Sequence, residues 1–588
     1  MKSQYHTLVI GSGAAGFNAA DWLYDLGVQD IALITEGINM GTSRNTGSDK
    51  QTYYKLTLAG DEPDSVCDMA STLFQGGSMH GDTAMVQAAC STKAFMKLVR
   101  LGLPFPTNQY GAYVGYKTDH DPKQRATSCG PLTSKFMTQA LEKEVIRKGI
   151  EILDGYRVIK LLTHKGRITG LVALGPAGYK TLQAQNIIMA TGGPAGIYAN
   201  TVFPKSQTGA TGLALNAGAQ ACNLQEWQYG LASIDFPWNV SGTYQQVLPK
   251  YISIDSQGNE REFLPHYYTD PTKALDNVFL KGYQWPFDIK KIDGSSQIDL
   301  IVAKENEQGR TVYMDFRQNP TGLDYNRLSP ETYIYLEKSN ALFGTPIQRL
   351  EKMNPKAIAL YKANGIDLYN EPLKVAVCAQ HCNGGIAVDI NWESNIKGLY
   401  VIGEAAGTFG VYRPGGSALN DTQVGAMRAA EHIAQKKPEA AKPTPDFDTP
   451  TITYSNQSNL STKRQEIQAR MSRHAAYIRD PKEMASLFEE LIQLKENFFK
   501  EITIASENEL LNLFTFHDTL TTQIAALSAM IYAANEIGSR GSALVKDQPQ
   551  PSDIHNNQVV ITENDKSYVQ PVRPLPPCDD WFENIYSK

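Results

Sequence analysis

One stretch near the start constrains the fold more than any other: "YHTLVIGSGAAGFNAADWLYDLGVQDIALITEG", residues 5–37. It reads as strand, turn, helix, strand. Tyr5–Ile10 is a buried apolar run, and Gly11, Gly13 and Gly16 form a G-x-G-x-x-G turn. Gly11 permits the tight turn, Gly13 lets a pyrophosphate approach the backbone, and Gly16 lets the helix pack closely on the strand. The helix, expected from about Ala14, aims free N–H groups and its positive dipole end at phosphate. Glu36 closes the second strand, followed by Gly37, and its carboxylate can accept both hydrogen bonds of an adenosine ribose. The motif predicts a dinucleotide but does not separate FAD from NAD.

Two later segments do. "AQNIIMATGGPAG", 184–196, is a buried strand ending at Ala190-Thr191-Gly192. "GLYVIGEAAG", 398–407, is a second, ending at Gly403-Glu404. In two-dinucleotide-type flavoproteins the first kind of strand passes near the adenine. The second sets a carboxylate on the ribityl or pyrophosphate region. Three such elements in this order point to FAD.

At 588 residues the chain exceeds one ordinary core, and two to four domains are expected. A formal charge of −6 and pI near 6.0 give no sign of a nucleic-acid or anionic-membrane partner. No run of 18 apolar residues suggests a membrane span. Seven cysteines, scattered and odd in number, do not resemble a secreted disulfide framework, so a reduced, cytoplasmic setting is expected.

With these elements read, the chain resembles the flavoprotein subunits of succinate dehydrogenase and fumarate reductase, with L-aspartate oxidase and adenylylsulfate reductase as relatives. "TGATGLALNAGAQACNLQEWQYG", 208–230, is similar to the family's "TGDG…AGA…E..QFHPT". "GRTVYMDFR", 309–317, is similar to its "vYLDLR", and "RPGGSALND", 413–421, to "NRLGSNSLAE". "EIGSRGSAL", 536–544, is similar to "RKESRGAH". The resemblance spans nearly the whole chain. It implies an α/β fold: a Rossmann-like, two-dinucleotide-binding FAD domain with an inserted α+β capping domain and a C-terminal helical domain. Expected boundaries are 1–232 and 371–437 for the FAD domain, 233–370 for the cap, 452–545 for the helical domain and 546–588 for an extended tail anchored by Trp581 and Tyr586. A proline-rich linker is expected over 435–451.

"VCAQHCNGGIAVD", 377–389, sets Cys378, His381 and Cys382 close together. A zinc site would need two more ligands at finger-like or helical spacing. A redox dithiol would prefer Cys-x-x-Cys. Small residues packing a tight turn near the flavin is the remaining reading of the cysteines. Two roles stay open for His381, a substrate contact or a packed, hydrogen-bonded imidazole. Aromatic stretches at 225–230 and 263–270 are candidates for a pocket wall.

Three departures from the family matter. The histidine that attaches FAD covalently in membrane-bound members is replaced by Arg44 in "TSRNTGSDKQTYYK", 42–55, so non-covalent FAD is implied. Arg44 and Lys50 either face phosphate or acidic surface, or are solvated loop charges. The histidines of "QFHPT" and "HYTMGG", which help hold a dicarboxylate, fall on Gly230 and Gln380. The proton-donating cap arginine has no counterpart in 241–263, where Arg261 falls on a more often structural signature. What remains is Arg413, whose match in the family clamps a substrate carboxylate with a planar fork. The alternative is a guanidinium that caps the flavin-side loop. Ser417, Ala418 and Leu419 then open a helix toward the flavin's N1–C2=O edge.

The expected protein-held cofactor site therefore comprises Gly11, Gly13, Ala14, Ala15, Gly16, Glu36, Gly37, Thr42, Ser43, Ala190, Thr191, Gly192, Gly403, Glu404, Ser417, Ala418 and Leu419. Catalytic candidates are Arg413, His381 and Gln380, with no metal. The expected activity is hydride transfer between FAD and a small anionic substrate, reducing or forming a carbon–carbon double bond, with fumarate and succinate disfavoured. Rival readings are an amino-acid oxidase like L-aspartate oxidase and a degenerate electron-transfer flavoprotein. No iron–sulfur ligand set or haem motif is seen, so a separate donor or acceptor is expected: a flavin reductase, free flavin or an iron–sulfur subunit.

Overall fold

The computed structural model describes residues 2–60, 62–437, 443–579 and 582–586. Its central sheet is built by the apolar runs that the sequence singles out. Strand Gln4–Ile10 lies between Ile31–Thr35 and Gly178–Met189, parallel to both. Glu151–Asp154 extends one edge, and Arg167–Gly175 and Arg157–His164 extend the other in antiparallel sense. Leu399–Val401 joins the last three residues of Gly178–Met189 in parallel, after a long intervening stretch of chain. Register pairs Ile10 with Ile34 and with Met189, and Met189 with Val401. Four turns consequently leave the sheet side by side at its carboxyl edge, where ligands of open α/β sheets bind.

A second sheet is wholly antiparallel, in the order 238–239, 227–233, 373–382, 311–315, 250–254, 260–262. It joins chain on both sides of the inserted segment. Here one expectation is corrected: "VCAQHC" is no tight turn but the end of strand Leu373–Cys382. That strand pairs with Trp227–Ser233, matching Gln228 to His381 and Tyr229 to Ala379. Gln380 is the extra residue of a β-bulge. A bulge re-aims side chains that would otherwise alternate, and both Gln380 and His381 face one cavity.

The helical region is led by Leu460–His474, Pro481–Glu501 and Leu510–Glu536. Asp480 caps the second, accepting from the N–H groups of Lys482 and Glu483. The third is buried along most of its length. No helix among the described residues is long and apolar enough to cross a membrane.

The tail departs from a plain extended strap. Gln558–Glu563 and Lys566–Pro571 form a hairpin that extends the short pair 221–222 and 385–386 into a four-stranded sheet. Beyond it, Arg573 pairs with Asp82 at 2.6 Å. Leu575 packs on the cluster of Tyr54, Met69, Leu73 and Phe409. Cys578 forms a disulfide with Cys67, 511 residues away. The expectation from the sequence is a reduced setting without a disulfide framework; the chain holds this one disulfide, and the other five cysteines are free. Tyr586 is 80% exposed and stacks on Phe582 of the same short helix rather than on the body of the protein, and Trp581 lies outside the described residues.

Candidate active site

The four turns at the carboxyl edge open into a cavity of about 850 Å³. Gly11, at φ +110°, turns so tightly that a Cβ would lie 2.3 Å from the Ala190 carbonyl oxygen. Gly16 packs the helix Ala14–Asp25 against the same turn, and a Cβ there would meet the Gly11 oxygen at 1.9 Å. Gly13 differs: its Cβ would meet only Ser43 Oγ, at 3.5 Å. No neighbour in the chain demands glycine at 13, so the space it leaves is space for a bound group. Gly11, Gly13, Ala14 and Ala15 line the cavity with Glu36, Gly37, Thr42, Ser43, Ala190, Thr191, Gly192, Gly403, Glu404, Ala418 and Leu419. The hydroxyls of Thr42 and Thr191 are buried there without a partner. These features fit a dinucleotide. Gly16 and Ser417 do not reach the cavity wall; Ser417 closes the turn before its helix by donating to the Pro414 oxygen at 2.7 Å.

Glu36 is held by Arg157 at 2.8 Å, and both line the cavity. Arg44 is turned away from it and bonds Glu142 at 2.8 Å, while Lys50 lines it. Glu404 is half-buried and accepts from the Cys382 N–H at 2.9 Å. Burial raises its pKa to about 7.

At the other end stand the catalytic candidates. Arg413 is buried, its guanidinium 5.7 Å from the Phe409 ring centroid. No carboxylate lies within ion-pair distance among the described residues, and its Nε has no partner. Burial, against the pull of Glu404, Asp119 and Asp421, lowers its pKa to about 10. It stays charged at neutral pH and free to take an anion. His381 Nδ1 lies 3.1 Å from Asn383 Oδ1. Asn383 is oriented by donating its amide to the oxygens of Gly410 and Val411 at 2.8 and 3.3 Å. Its Oδ1 is therefore the acceptor, Nδ1 of His381 carries the proton, and Nε2 presents a bare lone pair. Burial and then the charge of Arg413 hold this imidazole well below its ordinary pKa, so it is neutral. Gln380 donates to the Leu231 oxygen at 3.3 Å, leaving its buried Oε1 unpartnered.

The space beside Gly230 is filled from the cap. A Cβ at 230 would lie 2.8 Å from Trp285 Cε3 and 3.1 Å from Gln380 Nε2. Trp285 is locked through its backbone oxygen, which accepts from Lys281 Nζ at 2.6 Å. Lys281 in turn pairs with Asp299 at 2.5 Å. Sequence reasoning missed Trp285 and Lys291 of the cap, and Asp119 and His120 of the FAD-side loop, all of which line the cavity. His120 adopts φ +55° and lies tilted against the Tyr412 ring, centroids 4.8 Å apart, an uncommon backbone state that is a local clue to a site only once seen. Burial raises Asp119 to about 7.

Several expected residues lie elsewhere. The stretch 263–270 is no pocket wall: Phe263 and Tyr268 sit in the core. Of 225–230 only Gln228 faces the cavity. Arg261 pairs with Glu305 at 2.6 Å, a structural contact. Cys378 and Cys382 are buried thiols, and burial pushes Cys378 up to about 12. Among the described residues no group of three or more His, Cys, Asp or Glu side chains is set to hold a metal ion.

The family described as "FAD binding domain" matches residues 6–419, more than half of the chain. L-aspartate oxidase of Agrobacterium fabrum is 25% identical over 496 residues, covering 83% of this chain and 84% of that protein. One of the subunits of the CoM/CoB fumarate reductase of Methanothermobacter marburgensis is 25% identical over 441 residues, covering 73% of this chain and 72% of that one. A solved quinol–fumarate reductase chain superimposes with a TM-score of 0.74 at 19% identity, covering 98% of this chain and 99% of that one.

Proposed function

The chain belongs to this FAD-binding family and is an FAD-dependent oxidoreductase, and from that premise we propose that it reduces or forms a carbon–carbon double bond in a small carboxylate other than fumarate or succinate. FAD bound along the turns from Gly11 to Leu419 would supply two-electron, hydride-transfer chemistry. The observation that carries the reading is Arg413, a buried guanidinium with no acid in ion-pair reach that faces the cavity. A planar fork is suited to orient one carboxylate by two parallel bonds.

Glu36, with Arg157 behind it, would take the adenosine ribose; Gly13 would leave the pyrophosphate room. The helix Ser417–Gln435 would point its free N–H groups at the part of the flavin that gains negative charge. With Arg44 committed to Glu142, nothing at the family's attachment position can bond the flavin covalently. Asp119, raised to about 7, and Lys291 are the cap-facing groups from which a proton could reach substrate. Electrons would enter from a separate donor: a flavin reductase, free reduced flavin or an iron–sulfur subunit.

Fumarate is disfavoured because its second carboxylate would face Trp285 and the acceptor atoms of His381 and Gln380. The test is stopped-flow reoxidation of the dithionite-reduced holoenzyme, without oxygen, by millimolar fumarate. We expect little or none; reoxidation at ordinary enzyme rates, about 1–10³ s⁻¹, would overturn the substrate reading. A second reading, amino-acid oxidation, is supported by the 25% identity to L-aspartate oxidase over most of the chain. It requires that L-aspartate bleach the flavin and that oxygen restore it quickly.

A further inference from the structure

Resting on that reading, we propose that the substrate is a monocarboxylate whose remainder is a planar, uncharged group carrying an N–H or O–H donor, the carboxylate on Arg413 and the planar group against Trp285 with its donor toward His381 Nε2 and Gln380 Oε1. Three observations lead there.

The first is a count of cations. Among the described residues that line the cavity, Arg413 is the buried cation with no acid within ion-pair distance. Of the lysines on the same end of the wall, Lys291 lies 3.9 Å from Asp288, Lys117 is exposed and lies 3.4 Å from Glu62, and Lys50 is exposed beside Asp49. The buried part of the site therefore offers one fixed positive partner, enough for one carboxylate.

The second is the sign of the other wall. His381 Nε2 and Gln380 Oε1 are both unpartnered acceptors on side chains more than nine-tenths buried. Their orientation is set by the network behind them: Asn383 fixes one, and the bond to the Leu231 oxygen fixes the other. A second carboxylate set against those two atoms would meet lone pairs. A donor would satisfy them, and a buried acceptor left unmet weakens binding about fivefold or more. The donor is neutral rather than ammonium. The same burial and the same Arg413 charge that deny His381 a proton act against any cation placed beside it.

The third is shape. Trp285 stands against Gly230, and Gly230 is what allows it to stand there. The ring lines the cavity next to Gln380 while its backbone is tied down by Lys281. A fixed indole face favours a flat partner by stacking and burial.

The test titrates full-length, oxidised holoenzyme, without oxygen, with four saturated acids, 3-(4-hydroxyphenyl)propanoate, 3-phenylpropanoate, succinate and L-aspartate, and follows the flavin absorbance so that bleaching by succinate or L-aspartate counts against the proposal. Binding is read by calorimetry and by quenching of tryptophan fluorescence. The expected order is the hydroxyphenyl acid first, the phenyl acid about threefold to tenfold weaker, as for one net hydrogen bond, and succinate and L-aspartate weaker still. Trp285→Phe should keep this order, and Trp285→Ala should weaken both aryl acids about tenfold. Gln380→Leu should shrink the advantage of the hydroxyl. The wild-type order stands alone as a criterion if a variant fails to fold. Succinate or L-aspartate binding as tightly as the aryl acids, or a hydroxyl without advantage, would overturn the proposal. Dithionite-reduced enzyme is mixed in parallel with 4-hydroxycinnamate and fumarate. If neither is reduced while the binding order holds, the double-bond chemistry fails and the substrate class stands. If fumarate is reduced and succinate binds tightest, the class fails and the chemistry stands.

Discussion

Replacing Arg413 by methionine should make the protein more stable and blind to substrate. Burial lowers this guanidinium to a pKa of about 10. A drop of that size means the fold holds the charged form about 3 kcal/mol less favourably than the unfolded chain does. The sign follows from linkage. At pH 7 the residue is charged in both states, so the whole cost is present, and it is relieved only as pH passes about 10. Methionine fills most of the same volume without a charge. It forfeits the contact with Phe409 at 5.7 Å, a cation–π interaction of roughly 0.5–2 kcal/mol. The balance is a gain of about 1–2 kcal/mol, or about 1–4 °C in melting temperature for a chain longer than the domains on which such slopes rest. Binding of an aryl propanoate should fall at least tenfold to a hundredfold, since a hydrogen bond to a charged group contributes about 1.5–3 kcal/mol. Arg413→Lys should lose affinity as well, keeping charge without the fork, and should gain no stability. The assay is thermal unfolding at matched flavin content, with ligand titration. A melting temperature lowered by several degrees, or wild-type ligand binding, would refute the reasoning and make Arg413 a loop cap.

Acid precipitation should release all the flavin as intact FAD, since Arg44 is paired with Glu142 and no histidine stands there; Glu36→Ala should lower FAD occupancy, measured by absorbance ratio after gel filtration. The melting temperature should fall between about pH 4 and pH 8. Burial raises Asp119 and Glu404 to about 7 and Asp421 to about 8. Raised carboxyl values stabilise fully below the unfolded value near 4 and lose that contribution as pH climbs through the folded values; a flat or rising profile would count against them. Denatured protein should titrate five thiols before reduction and seven after. Cys578→Ser should speed proteolysis of the tail beyond Pro571, because the cross-link, typically about 2–4 kcal/mol, is lost; equal rates would show that Arg573 and Leu575 hold the tail unaided.

The nucleotide half of this protein is local, and local patterns are legible. A strand, three glycines, a helix and an acid fall within 37 residues, and each has a steric or electrostatic reason that involves close neighbours. The endings at Ala190-Thr191-Gly192 and Gly403-Glu404 add partners from afar, but each announces itself by the same buried run and glycine. The substrate half is not local. Gly230 reads as a lost histidine, and only the packed structure puts Trp285 in its place, because the ring comes from a distant part of the cap. Cys378 and Cys382 read as a turn, since spacing alone does not reveal the bulge at Gln380 that turns two successive side chains toward one cavity. The lone pair of His381 is decided by Asn383, and Asn383 by the carbonyls of Gly410 and Val411. The disulfide between Cys67 and Cys578 joins the two ends of the chain, a pairing that no spacing rule reaches. Periodicity and glycine placement reflect the backbone's own requirements, so the sequence alone determined the dinucleotide fold; charge, tautomer and specificity depend on which side chains meet, and the tertiary structure alone decided those.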